Sequence, residues 1–150
     1  MPQMRIRLPV NLKNPDAPAP TYPRGAILMV AGAGGGFTGP AGMYPELSEA
    51  ISAYPNLIAV QTGYRYPGEL KPCVEDTINT LNMLRKEYNV ERAVLVGWSF
   101  GGAVVISAAA AHPVVKGIAT IASQTAGTND VGKLAGQGEI YNYIRLEGPQ

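Results

Sequence analysis

The stretch Gly97-Trp98-Ser99-Phe100-Gly101-Gly102 decides the fold. It follows the apolar run Ala93-Val94-Leu95-Val96 and precedes a second apolar run, Ala103-Val104-Val105-Ile106. A buried strand that turns sharply through the pattern G-x-S-x-G into a buried helix holds a serine hydroxyl above the end of a sheet. Gly97 and Gly101 suit such a turn, because side chains there would collide as the backbone reverses. The pattern makes Ser99 a candidate nucleophile, and the alternative is a structural serine in a tight turn.

The composition is that of one globular domain. The chain has 150 residues, of which 46% are hydrophobic and 15% are charged, with a net charge of +1. This charge, without a basic cluster, gives no reason to expect a nucleic-acid partner. The single cysteine, Cys73, excludes an internal disulfide and a cysteine-rich metal site. We expect no cofactor and no bound metal.

The N-terminus lacks the apolar core of a signal peptide, and no apolar run is long enough to span a bilayer. We therefore expect no membrane association and a cytoplasmic protein.

Strands and helices are predicted to alternate along the chain. Residues 4–10 alternate apolar and basic side chains, as expected of a half-exposed strand. Buried strands are predicted from the continuous apolar runs 25–31, 57–60, 93–97 and 118–122. Helices are predicted over about 42–54, 74–88 and 103–111 from the spacing of their apolar residues. This order predicts an α/β fold, with a mostly parallel sheet and helices on both faces.

Two of these helices have a predicted buried side. In the first it is formed by Met43, Leu47, Ala50, Ile51 and Tyr54. In the second it is formed by Val74, Ile78, Leu81, Leu84 and Tyr88, and Asp76 is assigned to the solvent-facing side. The proline-rich segment 13–24 and the polar segment 124–138 are predicted loops, and residues 140–146 are assigned to neither helix nor strand.

A glycine-rich segment, 32–36, follows the strand at 25–31. Because parallel strands end at the same edge of a sheet, its backbone amides are expected to lie near Ser99. One amide, from Ala33 or Gly34, and a second from Phe100 would then form an oxyanion hole. The alternative is a flexible turn between a strand and a helix.

The same region contains a dinucleotide-binding pattern, G-x-G-x-x-G, at residues 34–39. Pro40 interrupts the helix that should follow, and the next strand ends in Gln61-Thr62 without an acidic residue for a ribose. Nucleotide binding is therefore not expected.

Three segments together resemble the α/β-hydrolase superfamily over about residues 20–123. The segment 31–35 is similar to the family's His-Gly-x-Gly-Gly oxyanion loop, with Ala31 in place of the histidine. The segment 97–102 is similar to the family's nucleophile elbow, and 63–68 is similar to its Arg-Gly-containing loop. The resemblance does not choose among esterases, lipases, peptidases and dienelactone-hydrolase-like enzymes.

The resemblance implies that an acid and then a histidine follow Ser99 in the chain. In the family both belong to strand–helix units beyond the strand at 118–122. We therefore expect a single domain that lacks its C-terminal part, with a core at about 20–123 and a loop-rich tail at 124–150. We also expect self-association through an unpaired sheet edge.

The remaining triad candidates are few. His112 is the one histidine of the sequence, and it follows Ser99 by one helix length, about 20 Å at 1.5 Å per residue. A general base must approach the hydroxyl to about 3 Å, so His112 is not expected to be catalytic. Asp130 follows the strand at 118–122 and is a candidate acid, although an Asn-Asp turn is the simpler interpretation. Tyr64, Arg65 and Tyr66 would either line a pocket or pack structurally.

Two functions remain open at this point. One is a serine hydrolase of small, ester-like acyl substrates that acts through Ser99 and backbone amides. Whether this short chain is itself active or inactive stays open for that function. The other is a non-catalytic protein that keeps the same fold for binding or regulation.

Overall fold

The computed structural model describes residues 1–10 and 24–134. The strands are β1 (Met4–Arg7), β2 (Arg24–Val30), β3 (Leu57–Thr62), β4 (Val90–Trp98) and β5 (Val115–Ile121). The helices are α1 (Met43–Ser52), which follows a 3-10 turn at Pro40–Gly42, α2 (Leu70–Tyr88), α3 (Phe100–Ala111) and the short α4 (Val131–Leu134). The predicted proline-rich loop, apart from its last residue, and the sequence from 135 onwards lie outside the described residues.

The five described strands form one sheet in the order β1-β3-β2-β4-β5. β1 is antiparallel to β3, and the other neighbours are parallel. Val30 pairs with Thr62 on one side and with Gly97 on the other, so the carboxyl ends of these strands meet at one edge. The predicted mostly parallel sheet is confirmed, and this edge carries the loops predicted to form the site.

Both faces of the sheet are apolar, because successive side chains of a strand point to opposite faces and the apolar runs are continuous. Leu28 and Val30 of β2 pack in the larger core, which α2 and α3 cover. Met29 points the other way and packs with Tyr44 and Ile51 of α1. The continuous apolar run of β2 is thus explained by burial on both faces, as predicted.

Helix α3 is buried along most of its length, as its uniformly apolar sequence predicts. Val104, Val105 and Ile106 are inaccessible to solvent. The helix therefore starts at the turn after β4 and runs through the core, which fixes the direction of that turn.

Two of the predicted helix faces are partly wrong. In α1, Ala50 is exposed and Tyr54 lies beyond the helix with 63% exposure, whereas Tyr44 and Ser48 are buried. In α2, Asp76 is fully buried rather than solvent-facing. Tyr44, Ser48 and Asp76 are buried because each has a hydrogen-bond partner on another segment. Tyr54 is exposed because α1 ends before it, at Ser52.

No helix among the described residues is both long enough and apolar enough to cross a membrane. β5 lies at the end of the described sheet, and self-association there stays a prediction.

Candidate active site

Ser99 lies between the end of β4 and the start of α3, with φ 53° and ψ −116°. A positive φ is uncommon for a residue with a side chain and costs about 1–3 kcal/mol. Its amide donates to the carbonyl of Ile121 at 2.9 Å, and its carbonyl accepts from the amides of Gly102 and Gln124 at 3.0 and 3.2 Å. The bonds with Ile121 and Gln124 hold the strained turn against the end of β5. Within residues 1–10 and 24–134, the Ser99 Oγ atom makes no hydrogen bond, and the residue is half-buried.

The two flanking glycines are explained by close backbone approaches. A Cβ atom on Gly97 would overlap the carbonyl of Gly101 as the chain reverses. A Cβ atom on Gly101 would overlap the carbonyl oxygen of Ala31, at the end of β2. The start of α3 is thus pressed directly against the loop that follows β2.

That loop forms a tight turn beside the serine. The amide of Gly35 donates to the carbonyl of Gly32 at 3.1 Å, so Ala33 and Gly34 are the central residues of the turn, and both are exposed. A Cβ atom on Gly32 would lie 3.4 Å from the ring of Trp98, which immediately precedes Ser99. The fold therefore brings the segments 31–36 and 97–102 together at one edge, although they are distant in sequence.

Tyr64, in the loop after β3, contacts both of these segments. Its hydroxyl donates to the carbonyl of Ala31 at 2.7 Å. Its ring meets the ring of Phe100 edge to face, with centroids 6.0 Å apart at 88°. Burial, the largest contribution, raises the pKa of the Tyr64 phenol well above its ordinary value, so the hydroxyl remains a donor.

An ion pair between the exposed Arg65 side chain and the buried Asp76 carboxylate holds the same loop. The carboxylate of Asp76, on α2, is inaccessible to solvent and accepts from the backbone amide of Arg65 at 2.8 Å. It also accepts from the Arg65 Nε atom at 2.5 Å, which raises the pKa of the guanidinium. The contacts of Tyr64 and Asp76 could not be predicted from the sequence, since no local pattern marks a contact between segments so far apart.

The two candidate triad partners have other contacts. His112 ends α3, about 20 Å from Ser99 along a helix of this length. Its Nε2 atom lies 2.8 Å from Asn82 Oδ1, and its Nδ1 atom accepts from the amide of Val114 at 3.2 Å. Asp130 precedes α4 and forms an ion pair with Lys133 at 2.9 Å. Its role as an acid stays a prediction.

A cavity of about 320 Å³ opens at the opposite end of the sheet, at the starts of β2 and β3, and none of the segments 31–36, 63–68 or 97–102 lines it. Among the residues that the structure describes, no group of three or more His, Cys, Asp or Glu side chains could hold a metal ion. Ser99 lies at the other end of the sheet, where β2 and β4 end.

No protein-family model matches the chain, and no curated protein is similar enough in sequence to be matched. Solved structures do match. An alpha-beta serine hydrolase homologue from Coxiella burnetii is 15% identical with a TM-score of 0.64, over 95% of this chain and 66% of that one. A lipase-esterase related protein from Clostridium acetobutylicum is 19% identical with a TM-score of 0.54, over 80% of this chain and 46% of that one.

A third match is esterase B from Lactobacillus rhamnosis, at 13% identity and a TM-score of 0.56, over 90% of this chain and 57% of that one. The chain thus spans between 46% and 66% of the length of these three proteins. At such identities the likeness concerns the fold. The sheet order, the parallel crossovers and these matches show that the chain has the α/β-hydrolase fold.

Proposed function

We propose that this protein is a serine hydrolase of small, ester-like acyl substrates, with Ser99 as its nucleophile. The observation that carries the proposal is the strained turn at Ser99, a half-buried residue at the edge of the sheet that also carries the turn of the exposed residues Ala33 and Gly34. Backbone strain of this kind is concentrated at functional sites. The substrate class is supported by the neighbours: two are described as esterase-type proteins, and one of them, esterase B, is described with a tributyrin phosphonate.

The proposed reaction is acyl transfer. Ser99 Oγ attacks the substrate carbonyl carbon, the hydroxyl proton passes to a base, and the carbonyl oxygen becomes an oxyanion. Collapse of this intermediate breaks the ester C–O bond, and the alcohol leaves with the proton from the base. Water then hydrolyses the acyl-serine and restores the Ser99 hydroxyl. Amides of Phe100 and of Ala33 or Gly34 donate to that oxygen, and the N-terminus of α3 adds a favourable dipole. Removing one such donor typically costs about 10²–10³ in rate, so the placement of both amides matters.

The proposed reaction also needs a base for the Ser99 proton. His112 does not serve, because both of its ring nitrogens are occupied at the far end of α3. We propose that the base is supplied from outside these 150 residues. Free imidazole at high concentration should then substitute for it in part.

The experiment follows from that requirement. Hydrolysis of p-nitrophenyl butyrate is measured with increasing imidazole for wild type, Ser99→Ala and Ser107→Ala. Ser107 lies on α3 and is half-buried, so its substitution is a matched control. Because imidazole itself hydrolyses the ester, the informative quantity is the rate above that of Ser99→Ala. We expect wild type and Ser107→Ala to exceed it equally.

The second candidate function is a non-catalytic binding or regulatory protein. The structural role of its one histidine favours it, because no imidazole of this chain reaches Ser99. Equal rates for wild type and Ser99→Ala at every imidazole concentration, in chains with the same circular dichroism spectrum, would favour this second function and overturn the first.

A further inference from the structure

We infer that Tyr64 is a positioning residue for the backbone amides beside Ser99, acting through the carbonyl of Ala31 and the ring of Phe100. The inference rests on the proposed function, because it assigns Tyr64 a role in the reaction proposed for Ser99. It concerns an internal contact that no pattern in the sequence marks.

The first step is the Ala31 carbonyl. Its oxygen accepts the Tyr64 hydroxyl at 2.7 Å and faces the close approach of Gly101 on α3. Two contacts on one oxygen fix the orientation of the peptide plane between residues 31 and 32. The turn that carries the Ala33 amide starts at that plane, so its direction depends on the Tyr64 hydroxyl. Ala31 itself has no polar side chain with which to anchor the loop.

The second step is the other donor. The ring of Tyr64 packs edge to face on Phe100, whose amide is the second proposed donor. Tyr64 therefore contacts both halves of the proposed oxyanion hole, one through its hydroxyl and one through its ring. A single side chain that contacts both halves fixes the distance between them.

The third step is the support of Tyr64 itself. The next residue, Arg65, is held by the fully buried carboxylate of Asp76 through its backbone amide and its Nε atom. The hydrogen bond to the Arg65 backbone amide holds the loop directly next to Tyr64. Asp76 lies on the long helix α2, which gives this hydrogen bond a rigid support. The chain from α2 through Arg65 and Tyr64 to Ala31 is thus a continuous set of hydrogen bonds and peptide links.

The chain provides a matched control in Tyr44. Its hydroxyl donates to the carbonyl of Val30, also at 2.7 Å, and the residue is 1% exposed. Tyr44 reaches β2 from α1, on the opposite face of the sheet. Tyr64→Phe and Tyr44→Phe each remove one hydrogen bond from a phenolic hydroxyl to a backbone carbonyl, and the two carbonyls, of Ala31 and Val30, are adjacent in the chain. Of the two tyrosines, Tyr64 is the one whose ring contacts Phe100.

The first measurement needs no catalysis. Backbone amide order parameters are determined by ¹⁵N relaxation for wild type and both variants. We expect values near 0.85 at Ala33 and Gly34 in wild type and in Tyr44→Phe, and a fall to about 0.6 or below in Tyr64→Phe. Mobile amides in wild type, unchanged values in Tyr64→Phe, or an equal fall in Tyr44→Phe would each overturn the inference.

The second measurement separates positioning from substrate binding. With imidazole present, inactivation by a fluorophosphonate is followed as a function of probe concentration. For Tyr64→Phe we expect the limiting rate of inactivation to fall on the order of tenfold, which is a smaller effect than removing one oxyanion-hole donor would have. The probe concentration that gives half of the limiting rate should not change. Tyr44→Phe should keep both values. Unreactive wild type would contradict the proposed function, and the relaxation data would still decide the role of Tyr64. Reactive wild type with an unchanged limiting rate in Tyr64→Phe would overturn the inference alone.

Discussion

The backbone amide of Ser99 donates to the carbonyl of Ile121 at 2.9 Å, which ties the turn after β4 to the last residue of β5. The carbonyl of Ser99 in turn accepts from Gln124, beyond that strand. The strained φ of Ser99 is therefore maintained by the neighbouring strand rather than by the turn alone. Any change that separates β4 from β5 should therefore also allow Ser99 to leave its strained backbone conformation.

Gly101→Ala should destabilise the protein, because the added methyl group would overlap the Ala31 carbonyl oxygen. Overpacking of this kind costs about 1–3 kcal/mol, which urea denaturation detects as a lower midpoint. Gly132→Ala is the matched control, since nothing lies within 4 Å of the added Cβ atom on α4. Equal midpoints for wild type and Gly101→Ala would contradict the close approach.

Cys73 should be unreactive in the folded protein. It is fully buried in the core, and burial, with the charge of Asp76 as a smaller contribution, raises its pKa to about 11. The thiolate is the reactive form, so alkylation by iodoacetamide near neutral pH should be slow and should become rapid in denaturant. Rapid modification without denaturant would show that the α2 side of the core opens readily.

Stability should fall as the pH drops below about 6.5, the ordinary pKa of histidine, because burial and then Arg85 lower the pKa of folded His112. The unfolded chain binds a proton there more readily, so His112 stabilises the fold fully above that pH, and the contribution is lost as the pH falls through the folded pKa. Protonation of His112 would also place a hydrogen on Nδ1, where it would face the Val114 amide that now donates a hydrogen bond to that atom.

The test compares thermal unfolding of wild type and His112→Gln at about pH 7.5 and about pH 5.5, a range in which histidine is the side chain whose ordinary pKa lies between the two values. Between these two pH values, the melting temperature of wild type should fall by more than that of His112→Gln. Equal losses in the two proteins would contradict the assignment of this pH dependence to His112.

The four parallel strands were predictable because their apolar runs are continuous, and the run at 25–31 shows why. Burial on both faces requires apolar residues at successive positions, as in Ala26–Val30 of β2. The buried polar side chains were not predictable. Ser48 is buried because its hydroxyl donates to Gln61 Oε1 at 3.2 Å, and Asp76 because it accepts from Arg65. Such partners are set by the tertiary fold and leave no periodic signal.

The candidate site divides in the same way. The strand and the helix on either side of Ser99 are encoded locally, by two apolar runs and three glycines. The exclusion of His112 also follows from helix length alone. The contact between Tyr64 and Ala31 joins residues 33 positions apart, and no spacing in the sequence predicts it. The assignment of Asp130 as an acid rests on its position after β5, and it stays a prediction.

The central claim is that Ser99 is the nucleophile, and the site of phosphonylation tests it most directly. The folded chain is treated with a fluorophosphonate in the presence of imidazole, digested and mapped by mass spectrometry. In the reaction an Oγ–P bond forms, the P–F bond breaks, fluoride leaves, and the hydroxyl proton passes to imidazole. We expect one adduct, on Ser99, that is absent from Ser99→Ala and retained in Ser107→Ala. An adduct on another residue, or none on a folded chain, would contradict it.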